Sequence, residues 1–477
     1  MRSARLLTVA ATALLAACAA GPDYHKPALD LPAAWKVEAP WRAAAPDDAA
    51  AKGTWWKTFG DAQLDKLEQQ ALGASPTLAV AAARLAQARS TLEAVGASRY
   101  PQLGINARTA RQRISANRPL TNYSVSNFST TQNDYTGSLS VSYEPDLSGR
   151  VRRAVEGARA SAEQSASDLE NTRLLLTADL ASAYFNLREL DIELDVVSRS
   201  IGLQRRALEL ARARHDLGAA SGLDVAQQQA LLDSTLTQVD VLRKQRAQFE
   251  HAIAALAGAA APAFAIAPQV KPLTPPAIPL GVPSDVLQRR PDVASAERAM
   301  AAANARIGIA SAAFYPSIAL GANYGGESRV LPALFDAPGA VWAFGLSLTQ
   351  PLFDGGRLEA SLAGARAGYD AAVASYRKVV LTAMQEVEDG ITGLAALERA
   401  HDQARQAIAS TSRVLDLATS RYEGGVATYL DVISAQQALL SSERQAAQLQ
   451  GQRLLTSVYL IKALGGDWPR KPTVMAQ

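Results

Sequence analysis

Apolar side chains recur at alternating intervals of four and three residues through two long stretches of the chain. The first stretch runs from Leu176 to Ala211, and the second runs from Ala383 to Ala418, each position lying 207 residues after its counterpart. This heptad pattern is typical of helices that pack against one another along their length. It predicts helices over about 149–215 and about 356–422, each about 65 residues and roughly 100 Å long.

A second apolar line, from Leu174 to Leu210, runs beside the first seam and indicates neighbours on two sides of that helix. Packing on two sides favours a curved sheet of helices over an isolated pair.

Before each long helix, apolar and small or polar residues alternate with a period of two. At 135–143, large and apolar residues alternate with Thr and Ser, and at 342–349 they alternate with Ala, Gly, Ser and Thr. Similar alternation at about 102–113 and 316–325 supplies a partner for each, so two β-hairpins are expected, over about 102–144 and about 316–351. Apolar side chains on one face and small polar ones on the other are typical of outer-membrane barrel strands. A soluble sandwich is the alternative for these strands taken alone.

Each hairpin and helix belongs to an internal repeat. A shift of 207 residues places "LSVSYEPDLSGR", at 139–150, on "LSLTQPLFDGGR", at 346–357. A proline-rich stretch that can form neither a helix nor an interior strand separates the two copies. The expected organisation is a signal peptide at 1–17, an acylated extended segment at 18–60, a first repeat at 61–260, a linker at 261–283, a second repeat at 284–466 and a tail at 467–477.

The two repeats share a turn. "RHDLGAASGLDV", at 214–225, matches "RYEGGVATYLDV", at 421–432, and each turn is expected to lead into a returning helix, over about 223–257 and about 430–464. Each repeat therefore contains a long helical hairpin, at about 149–257 and about 356–464.

Asp224 and Asp431 occupy equivalent places in the repeated turn, and two interpretations of them stay open. Each aspartate lies three residues after a Ser or Thr, which is the spacing of a capping box worth about 1 kcal/mol to a helix start. Three copies of each carboxylate around a narrow passage would also attract cations and impede anions. Arg214, Arg421 and Tyr422 are candidates for holding neighbouring hairpins together through charged hydrogen bonds, or are simply solvated.

The first residues of the chain predict export. Arg2 and Arg5 precede the apolar run "LLTVAATALLAA", which is too short to span a bilayer and typical of a signal peptide. The segment "LAAC" ends at Cys18, the single cysteine of the sequence, and resembles the lipobox of bacterial lipoproteins, in which the cysteine is acylated. A lone buried cysteine is the alternative. By the same resemblance, Ala19 rather than Asp after the cysteine favours the outer membrane.

Composition excludes several classes of function. The 477 residues carry 48 Lys and Arg against 45 Asp and Glu, so the net charge of +3 provides no basic face for nucleic acid. None of the common hydrolase, zinc-protease or nucleotide-binding motifs is present, and four scattered histidines predict no metal site and no cofactor. His401 is expected to be a tolerated helix-face histidine, and Trp55 and Trp56 to pack rather than bind a ligand.

Four strands cannot close a membrane barrel, and open strand edges in lipid would each leave unpaired amides costing several kcal/mol. Two copies would give eight strands and a filled lumen, whereas three would give twelve strands and a channel. The small residues on the polar face favour three.

Several ordered motifs resemble the TolC-like outer-membrane efflux proteins, in particular the NodT-type lipoprotein branch. They are "WWKTFGDAQLDKLEQQAL" at 55–72, "GVPSDVLQRRPDVASAERAMAAANARIGIASAAFYPSIAL" at 281–320, "RYEGGVATYLDVISAQQALLSSE" at 421–443, and the lipobox. The resemblance implies an α+β membrane protein, with four antiparallel strands and long coiled-coil-like helices in each protomer. Three protomers would form a twelve-stranded outer-membrane barrel continued by a periplasmic helical barrel.

The resemblance also implies partners and a role for one residue. Members join a periplasmic adaptor and an inner-membrane pump, here most simply of the RND type, to expel drugs, dyes or metals from Gram-negative bacteria. Asp431 matches an aspartate that lines the family's constriction, whereas Ser434 stands where some relatives carry a second acid. A lipid-anchored coiled-coil scaffold that conducts nothing is the alternative function, and the transported substrates cannot be read from the sequence.

Overall fold

The computed structural model describes residues 21–26, 53–117, 129–271, 273–278 and 289–466. These segments contain four β-strands, which are β1 (Gln102–Ile114), β2 (Thr130–Tyr143), β3 (Ser317–Ser328) and β4 (Ala340–Thr349). They also contain seven α-helices, which are α1 (Ala62–Ala74), α2 (Pro76–Ala97), α3 (Arg150–Asp216), α4 (Gly222–Leu256), α5 (Pro291–Ala312), α6 (Arg357–Glu423) and α7 (Tyr429–Ala463). Cys18 and the residues at 279–288 lie outside the described part of the chain.

The strands form one antiparallel sheet in the order β1-β2-β3-β4. Its register keeps the apolar residues of all four strands on one face, because directly paired residues share a face. One row of that face joins Ile105 to Leu139, Leu139 to Tyr324 and Tyr324 to Trp342. The opposite face carries small and polar residues, among them Ser140 opposite Asn323.

Both long helices have 67 residues and begin after equivalent glycines, Gly149 at φ +77° and Gly356 at φ +87°. A nearby aspartate then caps each helix start. Asp146 accepts hydrogen bonds from the backbone amides of Val151 and Arg152, at 2.9 and 2.6 Å, and Asp354 has the same role before α6.

The heptad seam predicted for α3 is confirmed by burial. Leu180, Leu187 and Val197 are fully buried, and even the polar seam residue Gln204 is only 1% exposed. Along α6 the seam is buried at Ala383 and Val387 and only partly buried from Leu394 to Ala418 except at Ala404. The first long helix therefore packs more tightly along its seam than the second.

The chain divides into two compact units that do not coincide with the two sequence repeats. The first unit comprises Met1–Pro27, Arg84–Ser165 and Ala296–Tyr376, and the second comprises Ala28–Ala83, Ala166–Ser295 and Arg377–Gln477. Each unit thus takes segments from both repeats, because each long helix passes from one unit into the other.

Within the first unit, residues 21–26 are held against α3 and α5. Arg153 donates to the carbonyl oxygen of Gly21, at 3.2 Å, and pairs with Asp23, at 2.8 Å. Gly21 has φ +87°, and a β-carbon there would lie 2.6 Å from the Cα atom of Gly308. Only glycine fits such a close approach, so this extended segment has a specific binding site on the helices.

Within the second unit, Trp55 and Trp56 lie in a short 3-10 helix, Trp55–Phe59, and are 3% and 2% exposed. The Trp55 indole donates to the hydroxyl of Thr177, at 3.2 Å. The predicted packing role of the two tryptophans is confirmed, because both belong to the main apolar core of this unit.

The proline-rich segment packs onto the second unit through a buried ion network. Asp191 pairs with Arg188 at 2.8 Å and with Arg246 at 2.6 Å, and its side chain is 1% exposed. The same carboxylate accepts a hydrogen bond from the backbone amide of Gln269, at 3.0 Å. Both arginines also donate to backbone carbonyls of this segment, at 266 and 267. We call this group the linker clamp.

Candidate functional site

The two repeated turns have the same backbone structure. Gly218 and Gly425, 207 residues apart, adopt φ +72° and +75°, and each amide donates to a carbonyl three residues earlier, at 2.8 and 3.0 Å. The following amides, of Ala219 and Val426, donate to Arg214 and Arg421 at 2.8 and 3.0 Å. These paired bonds end a helix at a left-handed glycine, so the sequence repeat encodes one turn geometry twice.

Both predicted aspartates cap the helix that follows the turn. Ser221 and Asp224 exchange hydrogen bonds, each side chain bonding the other residue's backbone amide at 3.2 Å. Asp431 accepts from both the backbone amide and the hydroxyl of Thr428, at 3.0 and 2.9 Å. These hydrogen bonds are the ones that the capping interpretation requires. A carboxylate at a helix N-terminus is also favoured by the helix dipole.

The sequence-predicted Arg214 and Tyr422 contact each other across the two turns. The Arg214 guanidinium lies 5.1 Å from the centre of the Tyr422 ring, which is a cation–π distance. The Tyr422 ring lies 4.9 Å from that of Tyr429. Arg421 is exposed and therefore does not share the packing of its neighbour.

Two residues that the sequence did not single out complete this cluster. The Tyr429 hydroxyl donates to the side-chain oxygen of Gln228, at 2.8 Å, and Gln228 donates to the carbonyl of Gln204, at 3.1 Å. Burial raises the pKa of Tyr429 to about 12, with smaller effects from Tyr422 and Asp224, so the phenol keeps its proton. We call Arg214, Tyr422, Tyr429 and Gln228 the tip latch, because together they join the first helical hairpin to the second.

The sequence contains one signal for the tip latch, which is a difference between the two repeated turns in their aromatic residues. At the 207-residue shift, Tyr422 and Tyr429 stand opposite His215 and Gly222. The aromatic pair thus belongs to one turn only, and in the first turn the His215 ring lies 3.0 Å from the carbonyl oxygen of Ala220 instead.

The part of the chain that the structure describes has no group of three or more His, Cys, Asp or Glu side chains placed to hold a metal ion. His401 lies 3.3 Å from an Arg453 nitrogen, and burial together with that arginine lowers its pKa. Across the described segments, no helix combines the length and the apolar character needed to cross a membrane.

A sequence profile of the family described as "Outer membrane efflux protein" matches residues 67–259 and 282–466. This chain belongs to that family. The outer membrane efflux proteins most similar to it include the pyoverdine export outer membrane protein OpmQ of Pseudomonas aeruginosa, at 31% identity over 98% of both chains. The probable efflux pump outer membrane protein TtgC of Pseudomonas putida is 33% identical over 97% of this chain and 96% of its own.

Solved outer membrane efflux channels share the fold. The outer-membrane channel OprN superposes with a TM-score of 0.85 and 29% identity, covering 94% of this chain and all of that one. VceC of Vibrio cholerae superposes with a TM-score of 0.80 and 30% identity, covering 88% of this chain and 99% of its own. The predicted fold class is confirmed: each protomer has four antiparallel strands and long helices, in a fold whose channels are homotrimers.

Membership in this family also fixes the general class and location of the protein. Outer membrane efflux proteins form a channel family rather than an enzyme family. They reside in the outer membrane of Gram-negative bacteria and extend into the periplasm.

Proposed function

We propose that this protein is the passive exit duct of a tripartite efflux system and is gated at the periplasmic tip of its helices. The observation that carries the proposal is the register of the sheet, which aligns large apolar residues on one face of all four strands and small polar residues on the other. Trp342, Phe344 and Leu346 are 76%, 73% and 62% exposed in the protomer. Such a face requires an apolar surrounding, and the small polar face suits a water-filled lumen.

Three copies of the chain would pair the free edge strands of this sheet and close it into a barrel. In the described chain, β1 and β4 each pair with a strand on one side only, so β4 of one copy is free to pair with β1 of the next. Three copies make twelve strands, whose lumen is wide enough for a channel. The homotrimer also places six helical hairpin tips together.

The tip is where we place the periplasmic adaptor, which would link the duct to an inner-membrane pump of the RND type. Large apolar side chains stand exposed around both turns. Leu217 is 83% exposed, and the equivalent residues Leu223 and Leu430 are 64% and 55% exposed. Exposed apolar side chains grouped at a helix tip are typical of a protein-binding surface. The relative TtgC is a probable efflux pump outer membrane protein, which supports a pump partner here.

Gating is assigned to the same tip. Asp224 and Asp431 would ring the passage with carboxylates while also capping their helices, and Arg214, Arg421 and Tyr422 would hold the tips closed. The tip latch supports this assignment, because it joins the two hairpins of a protomer through one cation–π contact and one buried hydrogen bond. An adaptor that binds the open tip better than the closed one would shift the population towards opening.

Conductance of the purified trimer in planar bilayers tests both the duct and the gate. We expect the purified trimer to form ion-conducting channels. Their preference for cations should fall by at least about threefold in the Asp224→Asn, Asp431→Asn double variant, because the substitutions remove six negative charges from a narrow passage. The amide oxygen of asparagine still accepts the capping hydrogen bonds, so the helix starts are preserved. Tyr422→Ala is expected to raise conductance by removing the centre of the latch.

Asp240→Asn is the matched control for charge. Asp240 lies on α4, sixteen residues after Asp224, and its side chain is 82% exposed, so its loss should leave selectivity unchanged. A purified trimer without conductance would favour the lipid-anchored scaffold. If the double variant forms channels with unchanged ion selectivity, Asp224 and Asp431 do not line a constriction and serve only as helix caps.

We propose that Cys18 carries the lipid anchor and that the protein needs no other cofactor. Cys18→Ser is expected to abolish incorporation of labelled palmitate into the protein, as read on a denaturing gel. Ala19→Asp is the matched variant, because it keeps the acylated cysteine while altering the sorting position. It should retain the label and shift the protein from the outer to the inner membrane fraction. Unchanged labelling of Cys18→Ser would refute the anchor.

A further inference from the structure

The loop between β3 and β4 folds onto the apolar face of the sheet. Its residues, 329–339, form two short 3-10 turns, Leu331–Ala333 and Ala337–Gly339. A β-carbon on Gly137 would lie 3.4 Å from the ring of Phe335, and one on Gly326 would overlap the carbonyl oxygen of Leu334. Both glycines face the side of the sheet that carries Leu139 and Tyr324, so the loop lies on that side.

A row of small residues makes room for the loop. Ala107 pairs with Gly137, Gly137 with Gly326, and Gly326 with Ala340, so the row crosses all four strands. It lies next to the row of large apolar residues that ends at Trp342. Leu334 fills this space and is only 8% exposed. The loop therefore replaces the missing side chains and extends the apolar face by one row.

The outer surface of the loop is itself apolar. Phe335 is 78% exposed, and Val330 and Leu331 are each 59% exposed, while Arg329 and Asp336 are charged neighbours in the sequence. Apolar side chains between charged ones, close to exposed aromatic residues, are typical of segments at the boundary between acyl chains and headgroups. A loop folded into the lumen would instead contact the small polar face.

Loop and sheet enclose a cleft of about 500 Å³. Its lining includes the apolar residues Ile105, Leu139, Tyr324, Leu334, Phe335 and Ala340 and the polar residues Asn106, Thr136 and Ser138. The cleft opens on the face that meets lipid and is continuous with it. An acyl chain is the ligand that matches an apolar cleft reached from a bilayer.

We propose that the β3–β4 loop lies at the boundary between the acyl chains and the headgroups of the outer membrane and that the cleft beneath it binds an acyl chain. The proposal rests on the membrane-spanning sheet described under the proposed function and adds a lipid site to it. It identifies the loop as part of the lipid-facing surface and not as a plug of the channel.

A fluorescent label on a Phe335→Cys variant tests the position of the loop. The trimer is placed in phosphatidylethanolamine–phosphatidylglycerol vesicles that contain a lipid with a nitroxide near the headgroup end of its acyl chain. We expect the lipid nitroxide to quench the label and aqueous iodide to leave it largely unquenched. Labels on Leu346→Cys and on its neighbour Ser347→Cys report the two faces of β4, and the unsubstituted protein gives the background from Cys18.

Glycine substitutions then test the small row. Gly326→Ala should push the loop away and lower lipid quenching of the Phe335→Cys label by more than half, because the added methyl group overlaps Leu334. Gly321→Ala is the control, since no atom lies within 4 Å of a β-carbon at that position of the same strand. Equal quenching in both glycine variants would overturn the packing of the loop on the sheet, and with it the acyl-chain cleft that this packing forms.

The outcomes separate this proposal from the duct itself. Iodide quenching at Phe335→Cys, with lipid quenching intact at Leu346→Cys, would overturn the position of the loop against lipid and leave the membrane-spanning sheet in place. Iodide quenching at both positions would show that the apolar face does not meet lipid, and the proposed channel would fail with it.

Discussion

Replacing Asp191 with Ala is expected to lower the free energy of unfolding by about 3–5 kcal/mol per protomer. The substitution removes the shared partner of Arg188 and Arg246, whose side chains are only 5% and 13% exposed. Arg188 then has no ion-pair partner among the described residues, and Arg246 keeps only Glu250, at 3.3 Å. The measurement is the apparent unfolding midpoint of the purified protein in detergent, followed by circular dichroism.

Asp195→Ala is the control for this loss. Asp195 lies one turn further along α3 and pairs with Arg199 at 3.0 Å, but the two side chains are 39% and 59% exposed. Such a pair contributes about 0.5 kcal/mol or less. Equal losses in the two variants would mean that the linker clamp adds nothing beyond an ordinary surface ion pair.

Glu68 is expected to make the protein less stable as the pH rises. This residue of α1 is 0% exposed, and neither carboxyl oxygen has a hydrogen-bond partner among the described residues. Burial, with a smaller effect from the charge of Asp65, raises its pKa from 4.5 to about 9. The folded protein therefore keeps a proton that the unfolded chain releases between these values. Stability contributed by this proton is complete below pH 4.5 and is lost as the pH rises towards 9.

Glu68→Gln should remove that pH dependence, because glutamine resembles the protonated acid at every pH. At pH 7 the variant is expected to be more stable than the natural protein by about 3 kcal/mol, since each pKa unit corresponds to about 1.4 kcal/mol. Near pH 4.5 the two should unfold alike. The measurement is the unfolding midpoint of both proteins across this pH range.

Glu93 provides the comparison for Glu68. It is an exposed glutamate of α2, and Glu93→Gln should change stability by less than about 0.5 kcal/mol at any pH. A Glu68→Gln variant that matches the natural protein at pH 7 would show that the buried carboxyl group is ionised at little cost.

Local periodicity predicted most of the fold. The helix expected at about 149–215 spans Arg150–Asp216, and the one expected at about 356–422 spans Arg357–Glu423. Alternation at period two placed all four strands and the face that each residue occupies. These signals work because one side of each element meets a uniform environment along its whole length.

Contacts between distant residues were not predictable in the same way. Tyr429 bonds to Gln228, which is 201 residues away, and Arg246 bonds to Asp191, which is 55 residues away. Neither pair follows a repeat or a motif, so only the folded chain brings them together. The caps of Asp224 and Asp431 are local and were predicted, whereas their role at a constriction depends on other copies of the chain and stays a prediction.

In the described part of the chain, β1 and β4 each leave one edge without a paired strand, and in the trimer these edges would pair with those of other copies. A solitary copy has no stable place in lipid, because those amides and carbonyls have no water there to bond. We therefore expect entry into the bilayer to be coupled to association with two further copies. A partly assembled sheet is accordingly not expected to form an open pore in the membrane.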